Sequence, residues 1–429
     1  LALDPQRVRA LQGRATVALE RGEADAVDRF DRALARDASD PYQWYARAQA
    51  LDAAGRADEA RHLVETLLAK IPHWHDALRL FAQLRLAAGE EDFASHYGKA
   101  AQQVPHDVGI RSEWALALHR VERHCEAAEV ILEARRDFPQ DARLPLMEAI
   151  YASDGGESER AEALFGSLAI DSEERWIHEA RHAVRRGEMD RAAFALDHAE
   201  HHAPFSVALW ALRGILWRLA DDPRADWLHE QAGLVQLLPL RNAETVLPPA
   251  IAMLEKLHDI SPFPLGQSLR GGTQTRGGLF DRTEPELARV HEAVLATLED
   301  YRAGLPAPDP THPLLRERKD LWRIAGSWSV RLSGGADHHA AHIHPQGLLS
   351  SALYCALPEA HGEDPQAGWL ELGCPPLSLG LDLGPLLTIE PREGHLALFP
   401  STLYHGTRPF KDGQRMTVAF DVVASGAKA

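Results

Sequence analysis

A chain of 429 residues exceeds what one hydrophobic core ordinarily organises, so two domains are expected. Hydrophobic residues at 45% and charged residues at 25% describe a soluble globular protein, and no apolar run reaches the roughly 18–20 residues of a membrane helix. A formal charge of −17 excludes a broad basic face, and nucleic acid with it as the expected partner.

The opening Leu1-Ala2-Leu3-Asp4-Pro5-Gln6-Arg7 has no signal-peptide character, and the lack of an initiator Met leaves open what precedes it. The first 240 residues then repeat. Gly22, Gly55, Gly89, Gly156 and Gly187 follow segments such as Leu51-Asp52-Ala53-Ala54-Gly55-Arg56, at spacings of 33, 34, 67 (two periods) and 31 residues. The skipped beat falls near Glu122. Small residues recur at Ala26, Ala60, Ala94, Ala128 and Ala161, and Pro41, Pro72, Pro105 and Pro139 close repeats. A period of about 34 with this punctuation matches the tetratricopeptide pattern. The small residue lets paired helices approach, Gly permits the turn and Pro ends the second helix. Residues 1–240 are therefore expected to form an α-solenoid of about six to seven helical hairpins, with Trp210 to Leu238 a degenerate last one. Its concave face can bind a peptide or protein partner, or the array can serve support and self-association, a homodimer included.

From Pro248-Pro249 and Ser261-Pro262-Phe263-Pro264 the beat is gone, and a second domain, residues 241–429, is expected. Its first part, about 241–310, reads as linker and supporting helices. Glu284 to Tyr301 carries Leu287, Val290, Val294, Leu295 and Leu298 at helical spacing. Short apolar runs follow near Ser327–Leu332, Leu349–Leu357, Gly368–Leu372, His395–Phe399 and Met416–Val423, broken by Gly/Pro turns. That is the pattern of a β-sandwich or barrel. The cysteines Cys125, Cys355 and Cys374 form no CxxC pair, and an odd thiol favours a reducing compartment, the cytoplasm.

His342-Ile343-His344-Pro345 sets two imidazoles two residues apart, on one face if the segment is a strand, and Pro345 biases His344 toward extended backbone. Two such rings can converge on a divalent metal. His405, 61 residues after His344 at the end of Phe399-Pro400-Ser401-Thr402-Leu403-Tyr404-His405, is the candidate third ligand. Ordinary surface or core histidines are the alternative in a chain with 23 of them. His73-Trp74-His75 is a decoy at a repeat turn, and Asp337-His338-His339 reads as a solvated loop. Arg415, inside an apolar strand, needs an anionic partner and can fork onto a carboxylate. Thr417 faces the same side. A plain salt bridge is the other reading of Arg415, and a core tyrosine that of Tyr354, which can also donate a phenolic hydrogen bond.

Taken together, His342-x-His344-Pro345, Ser350-Ser351-x-x-Tyr354, Glu393-Gly394-x-Leu396-x-Leu398-Phe399-Pro400-Ser401, His405 and Arg415-x-Thr417 resemble the iron(II)/2-oxoglutarate-dependent oxygenases. They look most like the bacterial members that carry N-terminal tetratricopeptide repeats. The resemblance covers about residues 260–423 and includes Arg270 to Thr275. It implies a double-stranded β-helix (jelly-roll) barrel with one Fe(II), held by His342 and His405. Arg415 and Thr417 would anchor the distal carboxylate of 2-oxoglutarate, with Tyr354 on the same carboxylate. It implies, too, that O2 and 2-oxoglutarate are consumed in hydroxylating a substrate, with a peptide or protein suggested by the repeats.

One departure matters: the family's His-x-Asp/Glu has its carboxylate where this chain has His344. Three imidazoles can hold the iron, His342 and His405 can suffice with water, or Asp337 or Glu371 can reach in. The direction shared with His342 favours His344. Gln274, Thr275, Arg331 and Gln346 are weaker candidates for touching substrate, each reading more readily as a loop residue that satisfies local backbone. Three competing functions stay open: a metal-binding repeat scaffold without turnover, a three-His cupin-like dioxygenase without 2-oxoglutarate, and a small-molecule oxygenase whose repeats self-associate. Arg415 speaks against the first two.

Overall fold

The computed structural model describes residues 7–259, 261, 269–335, 337–358 and 364–424. The chain divides into two compact units, one running to Ile170 and the other beginning at Asp171. The first is built of helical hairpins: α1 (Val8–Glu20) with α2 (Ala26–Leu34), α3 (Pro41–Ala53) with α4 (Ala57–Lys70), α5 (His75–Ala87) with α6 (Ser95–Gln103), α7 (Val108–His119) with α8 (His124–Asp137), and α9 (Arg143–Asp154) with α10 (Ser158–Phe165). The second opens with two more: α11 (Glu173–Arg185) with α12 (Met189–His202), and α13 (Val207–Leu219), whose partner is reduced to the π-helical turn Asp226–Glu230.

The glycine beat has one physical cause. Each first helix ends with a left-handed residue, and the next N–H reaches back to a carbonyl in the last turn, as in Glu23 to Ala18 (2.8 Å), Arg56 to Leu51 (2.8 Å) and Glu188 to Ala183 (2.9 Å). Gly22, Gly55, Gly89, Gly156 and Gly187 hold φ between 62° and 80°. At the skipped beat the turn is still made, by Glu122 itself at φ 64°, and a further beat falls on Asp221 at φ 50°. Arg123 N–H to Leu118 O (3.1 Å) and Asp222 N–H to Trp217 O (2.8 Å) complete the same motif there. Ala26, Ala60, Ala94, Ala128 and Ala161 are all buried between paired helices.

The rest of the second unit is antiparallel sheet and two helices: β1 (Gln236–Pro239), α14 (Ala243–Asp259), β2 (Leu269–Arg270), β3 (Thr273–Gln274), α15 (Pro285–Gly304), β4 (Trp322–Leu332), β5 (His338–His339), β6 (Leu349–Ala356), β7 (Leu370–Leu372), β8 (Leu387–Ile389), β9 (His395–Pro400), β10 (His405–Thr407) and β11 (Arg415–Ala424). They form a six-stranded sheet in the order β1-β9-β6-β11-β4-β3, a three-stranded sheet β10-β7-β8 and the pair β2-β5. One face of the large sheet, with Leu353 of β6, Leu398 of β9 and Val418 and Phe420 of β11, packs against Leu254 of α14 and Val290, Val294 and Leu298 of α15. The opposite face, with Tyr354 and Phe399, meets Leu370, Leu372 and Ile389 of the small sheet. Strands covered on both faces read as unbroken apolar runs, which is how β6, β9 and β11 stand out in the sequence.

The expected strands and the helix at Glu284 are present within a few residues at their ends. The supporting helices expected over about 241–310 are α14, with Pro248 and Pro249 inside it, and α15, while Pro262-Phe263-Pro264 lies outside the described residues. Two expectations need correction. The His342–His344 segment is no strand: His342 makes a single antiparallel bridge to His405, and a turn closed by Gly347 N–H to His344 O (3.0 Å) follows at once. Pro345 both straightens His344 and stops further pairing. Asp337-His338-His339, read as a solvated loop, supplies β5, partly buried and paired with β2. The three cysteines are unpaired, and no described helix is long and apolar enough to cross a membrane.

A left-handed Glu or Asp costs about 1–2 kcal/mol that Gly avoids, offset by the about 0.4–1 kcal/mol that Gly's looser unfolded chain costs. Glu122→Gly and Asp221→Gly are each expected to raise stability by about 0.5–1 kcal/mol, read as a shift in the urea midpoint without change of slope.

Candidate metal centre

His342, His344 and His405 come together. Their potential ligand atoms all lie within 4.8 Å of one another, and the ring centroids stand 4.3 Å (His342–His405), 5.0 Å (His344–His405) and 5.1 Å (His342–His344) apart. The bridge sets this up through His342 N–H to His405 O (3.0 Å) and His405 N–H to His342 O (2.9 Å). Each Nδ1 is turned away from the centre and given an acceptor: Ala340 O for His342 (2.8 Å), Leu403 O for His405 (3.1 Å) and the Asp421 carboxylate for His344. With Nδ1 protonated, each Nε2 is a bare lone pair. The Nε2 atoms of His342 and His344 face each other at 3.1 Å, an arrangement that repels unless a cation lies between them. Outward Nδ1–H donors of this kind fix the tautomer of metal-bound imidazoles, so the residues fit a divalent metal.

Burial keeps His342 and His405 neutral. It pushes the His342 pKa down to about 4, with His344 adding to the effect, and holds His405 well below the usual histidine range, helped by His342 and His344. The fourth histidine, His339, stacks on His342 at 5.7 Å. Its imidazole also lies far below its ordinary pKa through burial, then through the charges of His342 and Arg415.

Asp421 escaped the sequence reading. The signal was available: in a strand that starts at Arg415, every second residue shares its face, so Arg415, Thr417, Ala419 and Asp421 line up. Ser351 pins this stretch. Its hydroxyl donates to Phe420 O and accepts from Phe420 N–H, both at 2.8 Å, where the β6–β11 ladder lacks a partner. Neither Asp337, which accepts from Ser333 N–H (2.9 Å), nor Glu371, 3.5 Å from Arg408, is grouped with the triad.

At the other end of that face Arg415 is 2% exposed, and its Nε has no hydrogen-bond partner among the described residues. The Tyr354 hydroxyl, fully buried, has none either, and the guanidinium carbon sits 5.3 Å from the tyrosine ring centroid. No described carboxylate pairs with Arg415. Burial lowers its pKa against the opposing pull of Tyr354. Thr417, 4% exposed, stands beside both, opposite Tyr354 in the β6–β11 register. Buried side by side and without an acceptor among the described residues, the Arg415 Nε–H and the Tyr354 hydroxyl are donors that a carboxylate could match.

The last hairpins of the helical region hold the ligand loops in place. Ile343, between the two ligand-bearing positions, and Tyr404, next to His405, pack into the core of Trp176, Trp210, Leu212 and Trp217. His229 Nε2 meets Thr402 Oγ1 at 3.0 Å, and Arg218 donates to Gly373 O and, at 2.7 Å, to Gly384 O.

Among the weaker candidates, Thr275 is buried and its Oγ1 accepts from Ser329 N–H (2.9 Å). Arg331 pairs with Asp259 at 3.0 Å, and Gln274 lies in β3 opposite Val330. Gln346 is exposed, in the turn just past His344. The Arg270-Gly271-Gly272 loop needs its glycines: Gly271 has φ 80°, and a Cβ there would stand 1.8 Å from Asp337 Oδ1. The decoy His75 lies in the first unit between Asp107 and Glu113, each at 3.0 Å.

Asp421→Ala is expected to weaken divalent-metal binding by about 10–100-fold, measured calorimetrically under anaerobic conditions. Arg415→Met removes a buried charge without a described partner, so it is expected to stabilise the ligand-free chain by about 1–4 kcal/mol, seen as a raised thermal midpoint.

Residues 326–421 match the model of the family described as "Putative 2OG-Fe(II) oxygenase". No curated protein sequence matches significantly. Among solved structures, a tetratricopeptide repeat protein from Parabacteroides merdae is 18% identical, with a TM-score of 0.32, covering 47% of this chain and 80% of that one. A viral collagen prolyl hydroxylase from Paramecium bursaria Chlorella virus-1, solved with 2-oxoglutarate, is 14% identical (TM-score 0.30; 44% of this chain, 96% of that one). A prolyl-4-hydroxylase from Pseudomonas putida is 17% identical (TM-score 0.32; 48% of this chain, 100% of that one). Over residues 326–421 the sheet region is thus similar to the 2OG-Fe(II) oxygenases, a likeness that implies Fe(II) and 2-oxoglutarate as cofactors.

Proposed function

We propose that the two facing sheets are the double-stranded β-helix of an active 2-oxoglutarate-dependent hydroxylase, acting on a peptide or protein brought to it by the helical repeats. The observation that carries this reading is the buried Arg415–Tyr354 socket on the same strand face as the carboxylate behind His344. A three-imidazole dioxygenase without a dicarboxylate co-substrate has no use for that cation. A scaffold that merely binds metal has none either.

His342, His344 and His405 would hold the iron through Nε2. Fe(II), if bound, would supply activation of O2, one oxygen atom going to succinate as 2-oxoglutarate loses CO2 and the other to the hydroxyl group placed on a substrate C–H bond. Arg415, Tyr354 and Thr417 grip the far carboxylate and so fix the depth and orientation of the co-substrate. Phe399, edge-on to the His405 ring at 4.9 Å, limits its rotation and keeps water out. The His344–Asp421 pair puts negative charge behind an imidazole, one ring away from where the usual triad carries its carboxylate. Of the weaker candidates, Gln346 is the one proposed to touch substrate, a reading supported by its exposure two residues past His344.

Anaerobic titration of Fe(II)-loaded protein with 2-oxoglutarate tests the reading through the weak visible charge-transfer band of the chelate. The band is expected in the parent, absent in His405→Ala and weakened in Arg415→Ala. Iron that binds without any band would leave a three-His dioxygenase or a metal-stabilised scaffold instead.

A further inference from the structure

We infer that the helical region holds a second divalent-cation site, of zinc type, made by His119, His124 and Asp154. The three residues come from three successive helices: His119 is the last residue of α7, His124 the first of α8 and Asp154 the last of α9. Their ligand atoms all lie within 4.8 Å of one another. Nδ1 of His119 and Nδ1 of His124 face each other at 2.9 Å, and the Asp154 carboxylate lies 3.8 Å from His119 Nε2.

The site is partly enclosed: the side chain of His119 is 26% exposed and that of Asp154 16%. His119 is gripped between two rings, His124 at 4.7 Å and Tyr151, one turn before Asp154 on α9, also at 4.7 Å. Its orientation is therefore set before any ion arrives. Two imidazoles and one carboxylate are a donor set that zinc accepts, with an open fourth position. Zinc-bound nitrogens at about 2.0–2.1 Å from the metal in tetrahedral geometry stand about 3.3–3.4 Å apart, so the two Nδ1 atoms, 2.9 Å apart, need to part by only about half an ångström to take an ion. The carbonyl ends of α7 and α9 favour a cation here, two against the opposing amino end of α8. An ion in this place ties α7, α8 and α9 together across the turn where Glu122 is strained.

The assignment is independent of the oxygenase reading, and the experiment separates the two. In the full-length chain carrying His342→Ala and His405→Ala, the candidate iron site is silenced. Calorimetric titration of that chain with Zn2+ is expected to show one equivalent bound. Adding His124→Gln should weaken this equivalent by at least about 100-fold, the upper end of what losing even an outer-sphere partner costs. Asp154→Asn, close in shape, should weaken it in the same direction and guards against misfolding of the His124 variant, which far-UV melting without metal also checks. Zn2+ should raise the thermal midpoint of the silenced chain and leave that of the His124→Gln chain unchanged. No binding in the silenced chain, or an equivalent that survives both added substitutions, would overturn the assignment and leave a hydrogen-bonded Asp–His–His relay.

Discussion

Two backbone hydrogen bonds between His342 and His405 govern the rest of the sheet region's chemistry. They join segments 63 residues apart in sequence, and they aim two imidazoles at one point. The rings could still turn, but each Nδ1 is held by an outward acceptor, so every Nε2 points inward. A divalent cation at the point where they meet would find the lone pairs already converged. Preorganisation of this kind lowers the entropy that binding must overcome.

The sequence showed the helical periodicity, the apolar strands and the residues at both ends of the site. These were legible because each rests on a local rule: left-handed turns select glycine, buried strands read as apolar runs, and a buried Arg stands out. Less legible was whatever depends on contacts far apart in sequence. Asp421 behind His344 is 77 residues away from it, and nothing short of strand alternation marks it. The pairing of β10 with the His-x-His segment was likewise hidden, since three residues make too short a strand to show a pattern. The left-handed turns at Glu122 and Asp221 were masked for the opposite reason: the surrounding hairpin enforces a conformation that the residue itself disfavours.

The helical region is more than an appendage to the sheets. In the second unit, Trp210 and Trp217 share a core with Ile343 and Tyr404, the immediate neighbours of His342, His344 and His405. Packed cores transmit small displacements because they have no slack. A displacement of α11–α13 would therefore reach the side chains that flank the three histidines. Both uses of such repeats, recruiting and supporting, can be served by one set of aromatic contacts.

Strand β11 works as a reading frame. Its odd-numbered residues Arg415, Thr417 and Asp421 belong to the site, while Met416, Val418, Phe420 and Val422 belong to the core against the helices. Both neighbours, β4 and β6, pair along it. A shift of one residue would carry the guanidinium into the apolar core and a methionine into the carboxylate socket, undoing stability and chemistry together. The register shifts along both ladders, at Asp421/Val422 against β4 and at Met416/Thr417 against β6, place the extra residue in the neighbouring strand and leave the alternation of β11 intact. Variation in length must then collect in the loops at its ends, where substrate would be met.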